Sequence, residues 1–172
     1  MTRPTTCRMA EVDQATRIHA LITASLVDGH LLPRTLSEIE VHAERFVVAM
    51  QGARVAGCAE LAPLSAHVAE VRSLTVDDAA RGSGVGSMLV HEVRRRARRE
   101  GFDTLCAFTH APGYFIQLGF SIVPHLWLPE KIFTDCTGCP RFRHCGQFAM
   151  MLSLDSTEAM ESSDSGRVIR CA

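Results

Sequence analysis

The chain has 172 residues and a formal net charge of −1 at pH 7, which is typical of one globular domain. A near-neutral charge provides no field that would draw the chain to nucleic acid or to an anionic membrane. No apolar run reaches the roughly 20 residues that cross a bilayer, and the first residues lack the apolar stretch of a signal peptide. We therefore expect a cytoplasmic protein whose seven cysteines are mostly reduced, since an odd number argues against a disulfide framework.

Two helices are predicted near the N-terminus, after a short strand at residues 6–9. Apolar residues recur at three- and four-residue spacing over 12–27, the pattern of an amphipathic helix, and Asp28-Gly29 ends it. A connecting loop at 31–34 leads to Thr35-Leu-Ser-Glu38, which is the capping box of a short second helix.

Three β-rich runs follow and predict an antiparallel meander. The sequence Gln-Gly-Ala-Arg separates the first two runs and is a hairpin signal. The runs cover residues 46–50, 55–61 and 68–76.

The next segment predicts a β-α-β unit. A helix over 84–100 carries an apolar stripe and stops at Gly101. The strand after it, at 104–108, would pair parallel with the strand at 68–76. A short helix at 112–118 and strands at 120–123 and 147–154 complete the sheet.

The last residues differ in composition from the rest. From Asp155 onward Ser, Asp and Glu dominate without periodicity, so 155–172 is expected to be a disordered tail. The remaining residues, 1–154, are expected to form the domain.

A glycine-rich loop joins the strand at 68–76 to the long helix. Its three glycines surround backbone N–H groups at the positive end of the helix dipole, which makes an anion site suited to a pyrophosphate. A P-loop is excluded because no Lys follows Gly86, and a dinucleotide fingerprint has its third glycine one residue later. The loop Arg81-x-x-Gly84-x-Gly86 resembles the pyrophosphate-binding motif of the GNAT superfamily of N-acetyltransferases.

The resemblance extends over roughly residues 5–154 and includes Phe115-Ile-Gln-Leu-Gly-Phe120, which is similar to a second GNAT signature. It implies an α/β (α+β) fold with a mixed, mostly antiparallel sheet of about six to seven strands and flanking helices. It also implies an enzyme that transfers an acetyl group to an amine by direct attack in a ternary complex.

The resemblance places acetyl-CoA, the co-substrate, on two neighbouring segments. Backbone groups of a splayed strand would bind the pantetheine amides and the oxyanion, and the glycine loop would bind the pyrophosphate. The expected contact residues are Leu74, Thr75, Val76, Arg81, Gly82, Gly84, Val85, Gly86 and Ser87.

Four short segments, at 31–35, 69–76, 108–115 and 128–131, resemble the short form of the N-acetylglutamate synthases. This implies acetylation of the α-amino group of L-glutamate, the first step of arginine biosynthesis, with a small-molecule partner and no nucleic acid or membrane. Another amine, such as an amino acid, a peptide N-terminus or a polyamine, is the alternative within the fold. Homodimer formation and regulation by arginine stay open.

Glu70 matches the general-base glutamate of some GNAT branches. A base helps because the acceptor ammonium must lose a proton before its nitrogen attacks the thioester. Desolvation between Val68 and Leu74 is expected to raise the pKa of Glu70. The alternatives are a solvent-facing ion pair with Arg72, two positions along the same strand face, and binding of the substrate amine.

Recognition of glutamate requires cations that match its carboxylates. Arg34 aligns with an arginine of the synthases' substrate loop, and the resemblance adds Arg72, Thr109 and Lys131 as substrate-binding residues. Each cation, taken alone, is more often an ordinary surface charge.

Phe115 occupies the position where many GNAT enzymes have a tyrosine general acid. Tyr114 lies one residue earlier, about 100° away on a helix, and cannot simply replace it. The general acid is therefore left open, although a thiol is acidic enough for its thiolate to leave without much help.

Cysteines cluster between residues 136 and 145. Cys136, Cys139, His144 and Cys145 are soft ligands of the kind that bind structural zinc, but the adjacent second pair fits the usual spacing poorly. Reduced thiols in a loop over the acceptor pocket, a redox-active pair and an inactive, zinc-stabilised interaction module are the other hypotheses. An arginine run at 94–99 is predicted to be a solvated helix face rather than a nucleic-acid patch, because no aromatic residues are interleaved.

Overall fold

A computed structural model describes residues 4–28 and 31–154, and a seven-stranded sheet crosses this part of the chain in the order β1-β2-β3-β4-β5-β7-β6. Neighbouring strands are antiparallel except β4 and β5, which are parallel. The predicted mixed sheet is thereby confirmed. The strands are β1 Thr5–Met9, β2 Phe46–Gln51, β3 Arg54–Pro63, β4 Val68–Val76, β5 Thr104–Thr109, β6 Ser121–Val123 and β7 Phe148–Ser153.

The helices lie close to their predicted positions. The capping box is formed, since the Thr35 hydroxyl accepts the Glu38 N–H at 3.2 Å and the Glu38 carboxylate accepts the Thr35 N–H at 2.7 Å. The helices are α1 Ala15–Ser25, α2 Leu36–Val41, α3 Val85–Arg99, α4 Pro112–Gln117 and α5 Pro129–Lys131, which continues into a π-helical turn at Ile132–Cys136. None of the helices in the described ranges is long and apolar enough to cross a membrane.

Helices cover both faces of the sheet, so alternate residues of the central strands enter different cores. Along β2, Val47 and Ala49 pack with the buried stripe of α3, whereas Phe46, Val48 and Met50 pack with α1. A third, smaller cluster includes Leu128, which is buried beside β5 and β7. Leu128 thereby anchors the start of α5 against the sheet.

The strands β4 and β5 pair over a short distance only. Their ladder joins Val68–Glu70 to residues 104–106, although both strands continue beyond it. Ser73, three residues past the ladder, has a φ of 53°, a left-handed backbone conformation that is uncommon for a residue with a side chain. The two strands therefore part beyond Glu70, and the gap between them opens into a cleft.

Two expectations differ from the structure, and one lies outside it. The arginine run is not wholly solvated, because Arg96 is buried and donates hydrogen bonds to the Glu44 carbonyl oxygen and the Glu100 carboxylate. Residues 124–146, for which no element was predicted, contain α5 and several helical turns. The predicted tail, 155–172, lies outside the described residues, so the domain boundary at 154 stays a prediction.

Candidate active site

The cleft at the parting of β4 and β5 has a volume of about 720 Å³. Its wall is built by the loop before α2, by β3, β4 and β5, and by the segment that begins with α5. It brings together most of the residues that the sequence analysis assigned to the substrate and cofactor. These are Arg34, Glu70, Arg72, Leu74, Thr75, Val76, Arg81, Thr109 and Lys131.

The other predicted cofactor residues, Gly82, Gly84, Val85, Gly86 and Ser87, form the N-terminus of α3 rather than the cleft wall. Gly84 is the N-cap of α3 with a φ of 83°, and Gly82 has a φ of 73°. A Cβ added at either position would meet no atom within 4 Å, so the loop presents its backbone to open space. This exposed backbone at the N-terminus of a 15-residue helix is suited to phosphate oxygens.

Glu70 lies at the centre of a charged cluster on the cleft wall. Its side chain is 5% exposed and accepts hydrogen bonds from Arg72 Nε and Nη2, at 3.0 and 2.7 Å. Lys131 Nζ donates to both carboxylate oxygens of Glu70, at 2.9 and 2.8 Å. The expected ion pair with Arg72 is formed, but the solvent-facing version of it is wrong because Glu70 is buried.

Asp135 closes this cluster into a ring of alternating charges. Its Oδ2 accepts from Arg72 Nη2 at 2.5 Å and from Lys131 Nζ at 2.8 Å. Burial alone would lower the pKa of Lys131, but the Glu70 carboxylate and the hydrogen bond to Asp135 outweigh it and raise this pKa. Burial likewise opposes the effect of Lys131 and Arg72 on Asp135, whose pKa is lowered. Arg72, whose pKa the Glu70 and Asp135 carboxylates raise against the effect of burial, is held in its charged form together with Lys131 and Asp135.

Arg34 belongs to a second ion pair on the same wall. Its Nη1 donates to Oε2 of Glu60 at 2.9 Å, and the two side chains are 13% and 1% exposed. The Nε of Arg34 is buried and has no hydrogen-bond partner among the described residues. Thr109, also on the wall, uses its hydroxyl to accept the Ala111 N–H at 3.0 Å, before α4 begins.

Two acidic residues of the cleft wall, Glu60 and Asp135, were not predicted from the sequence. Glu60 lies inside an apolar strand, and a lone acidic residue in such a run indicates a buried charge that requires a partner. Asp135 follows Lys131 by four residues, a spacing that brings side chains together on a helix. Both patterns are present in the sequence, but neither identifies the residue on another element that forms the ion pair.

The aromatic pair of α4 occupies the cofactor end of the cleft. Phe115 is buried and makes edge contacts with Tyr114 and Phe120. The Tyr114 hydroxyl lies so close to α3 that a Cβ added at Gly86 would be 2.7 Å from it. Burial raises the pKa of Tyr114, whose hydroxyl has no hydrogen-bond partner among the described residues. Phe115 has no hydroxyl, and the raised pKa of Tyr114 makes its hydroxyl a weaker acid than an ordinary tyrosine.

The cysteine-rich loop contributes thiols to the same wall. Cys139 and Cys145 line the cleft, and Cys136 is half-buried next to Asp135. Within residues 4–28 and 31–154, no three His, Cys, Asp or Glu side chains converge on a point where a metal ion could bind. The zinc hypothesis therefore has no support in the described part of the chain.

Comparison with known proteins identifies the family. The sequence profile of the acetyltransferase (GNAT) family matches residues 15–120. The chain belongs to this family. It is an acetyl-CoA-dependent N-acetyltransferase, as the glycine loop and the β-α-β context predicted.

Curated relatives include standalone and longer proteins. An uncharacterised N-acetyltransferase of Chlorobaculum tepidum is 31% identical over 150 residues, which are 87% of this chain and 97% of that protein. An amino-acid acetyltransferase of Shewanella oneidensis is 29% identical over 126 residues, which are 72% of this chain but 28% of that protein. The chain therefore spans less than a third of that amino-acid acetyltransferase.

Among solved structures, one similar chain is an N-acetylglutamate synthase from Neisseria gonorrhoeae complexed with coenzyme A and N-acetyl-glutamate. The two share 25% sequence identity with a TM-score of 0.79, and the match covers 90% of this chain and 36% of the synthase chain. The fold and the use of coenzyme A agree with the cleft described above.

Proposed function

We propose that this acetyltransferase transfers the acetyl group of acetyl-CoA to the α-amino group of L-glutamate. The observation that carries the proposal is a cleft wall with charges of both signs beside the gap between β4 and β5, formed by Arg34, Glu70, Arg72 and Lys131. An amino acid brings an ammonium group and carboxylates together, so it matches a wall that offers both signs. A polyamine would require a wall of acidic groups only.

Acetyl-CoA would lie along the gap and the glycine loop. Beyond Glu70 the edge of β4 that faces β5 lies outside their ladder, so Leu74, Thr75 and Val76 can pair with the pantetheine amides. The pyrophosphate would bind at the N-terminus of α3, beside Arg81 and the glycines at 82, 84 and 86. This arrangement directs the thioester toward the charged ring.

Glu70 would act as the base. Arg72 and Lys131 fix the position of its side chain by hydrogen bonds, and its carboxylate would accept a proton from the acceptor ammonium. The freed nitrogen attacks the thioester carbonyl carbon and then releases its second proton to solvent, while the carbon–sulfur bond breaks and coenzyme A leaves as a thiolate. A backbone N–H of β4 near Leu74 would stabilise the oxyanion.

Arg34 would bind a carboxylate of the acceptor. Its position on the cleft wall and its unpartnered Nε support this role, whereas Lys131 already directs its ammonium at Glu70 and Asp135. The bound product of the gonococcal synthase and the names of the curated relatives also favour an amino-acid acceptor. The proposal includes a place in arginine biosynthesis, which follows if glutamate is the substrate. It also includes a cytoplasmic location and a homodimer, which separate measurements would test.

The test is coenzyme A release with L-glutamate, L-glutamine, L-aspartate and spermidine as acceptors, with the product identified by mass spectrometry. A charge-assisted carboxylate contact contributes about 1.5–3 kcal/mol, so we expect kcat/KM for glutamate to exceed that for glutamine by about 10- to 150-fold. A higher kcat/KM for glutamine or spermidine would contradict the choice of substrate. Absence of release with every amine would contradict catalysis itself.

A further inference from the structure

Glu60 is the most deeply buried carboxylate on the cleft wall, with a side chain that is 1% exposed. It lies on β3 opposite Arg72 of β4, in the register that joins the two strands. A carboxylate buried to this extent requires a cationic partner, and Arg34 provides it from a loop 26 residues earlier in the chain. The pair therefore connects the substrate loop to the sheet.

The geometry of this pair decides which edge of Arg34 remains for a ligand. A guanidinium can grip a carboxylate end-on through its two Nη atoms or side-on through Nε and Nη2. The Nη1 of Arg34 donates to Glu60 at 2.9 Å, so this end of the guanidinium is already engaged with a carboxylate. The Nε belongs to the side-on edge and has no partner among the described residues, although it is buried.

We propose that Glu60 is a positioning residue, which holds Arg34 so that its side-on edge faces the acceptor and selects molecules that carry a carboxylate. The inference rests on the proposed function, because it takes Arg34 to be the carboxylate-binding residue. The acceptor class that follows is an amine with a carboxylate in reach of Arg34, and glutamate is one member of it.

A purely structural role of the pair makes a different prediction. If Glu60 only fastened the loop to the sheet, its loss would lower the Tm and raise the KM for both substrates. A positioning role acts on the acceptor alone, because the acetyl-CoA groove is built by β4 and α3. The two roles are therefore separated by the KM for glutamate against the KM for acetyl-CoA.

The experiment uses Glu60→Gln, Arg34→Ala and the double variant, each compared with wild type. Glu92→Gln is the matched control, since Glu92 also pairs with an arginine, Arg95 at 2.7 Å, but lies on α3 away from the cleft wall. For Glu60→Gln we expect a rise in the glutamate KM of about 10- to 50-fold, with kcat and the acetyl-CoA KM within about twofold of wild type. In the Arg34→Ala background the same change should add less than about twofold, because the two residues act as one unit.

Equilibrium binding of glutarate, measured by calorimetry with coenzyme A present, provides a second readout. Glutarate has two carboxylates and no amine, so its binding reports the Arg34 contact without any chemistry. Weaker glutarate binding by Glu60→Gln, with unchanged affinity for coenzyme A and unchanged Tm, supports the inference even if glutamate is not acetylated. In that case the proposed function fails and the inference stands.

Three results would overturn the inference. One is an unchanged glutamate KM and glutarate affinity in Glu60→Gln. Another is a parallel loss in Tm and in both KM values, which indicates a structural role. The third is a full additional effect of Glu60→Gln in the Arg34→Ala background, which shows that Glu60 does not act through Arg34.

Discussion

Replacing Glu70 by glutamine tests the centre of the charged ring. The side chain keeps its shape and one oxygen but loses its charge and gains an amide group that faces two cations. Arg72 and Lys131 would then share only the carboxylate of Asp135. The Glu70→Gln variant therefore changes the chemistry of the site with the smallest possible change in volume.

Two magnitudes follow from the contacts. Arg72 and Lys131 are 26% and 13% exposed, so the lost charge contacts are only partly replaced by water. We expect the unfolding free energy to fall by about 1–3 kcal/mol, which lowers the Tm by about 2–12 °C. Loss of a general base lowers kcat by about 10²- to 10⁴-fold.

The pH dependence distinguishes a base from a structural charge. Without Glu70 the reaction depends on acceptor molecules that are already deprotonated, so log kcat/KM should rise with unit slope below the pKa of the acceptor ammonium. The ratio of wild-type to variant rate should therefore be largest at low pH. Coenzyme A release is measured from about pH 6 to 9, with coenzyme A affinity measured by calorimetry as the control for an intact groove. A ratio that is constant across this range would refute the assignment of Glu70 as the base.

Three further predictions concern the surroundings of the ring. Gly86→Ala places a methyl group 2.7 Å from the Tyr114 hydroxyl, so we expect the Kd for coenzyme A to rise about tenfold or more. Adding Tyr114→Phe should restore the Kd, and no recovery would exclude the steric explanation. Ser73→Val forces a β-branched side chain into a φ of 53° and should lower the unfolding free energy by about 1–2 kcal/mol in urea; an unchanged midpoint would contradict this. Burial raises the pKa of the Cys58 thiol to about 12, so a thiol reagent should label Cys58 only after unfolding while Cys139 reacts in the native protein, as peptide mapping can check.

The parts of the fold that local signals specify were predictable. The capping box at Thr35, the apolar stripe of α3 and the glycines before it act within a few residues of each other, so the sequence carries them directly. The shared face of Glu70 and Arg72 follows from the two-residue period of a strand. The turns at 124–146 were missed because that segment has no apolar periodicity.

The ion pairs that join distant segments of the cleft wall could not be predicted from the sequence, because their members are far apart along the chain. Lys131 meets Glu70 across 61 residues, and Arg72 meets Asp135 across 63. Such contacts depend on the strand register and on how Leu128 fixes the start of α5, neither of which local patterns determine. The same applies to Arg96, whose burial depends on the position of Glu44 in the chain segment before β2.

The early parting of β4 and β5 also bears on where the sheet exposes unpaired backbone groups. An unpaired strand edge at the rim of a sheet is a template for a foreign strand and promotes aggregation. Here the corresponding edge of β4 lies inside the sheet, with β5 and β7 beyond it. This edge therefore faces the cleft and not the rim of the sheet. The backbone groups of β4 beyond Glu70 thus remain available to a ligand, although β4 is not an edge strand of the sheet.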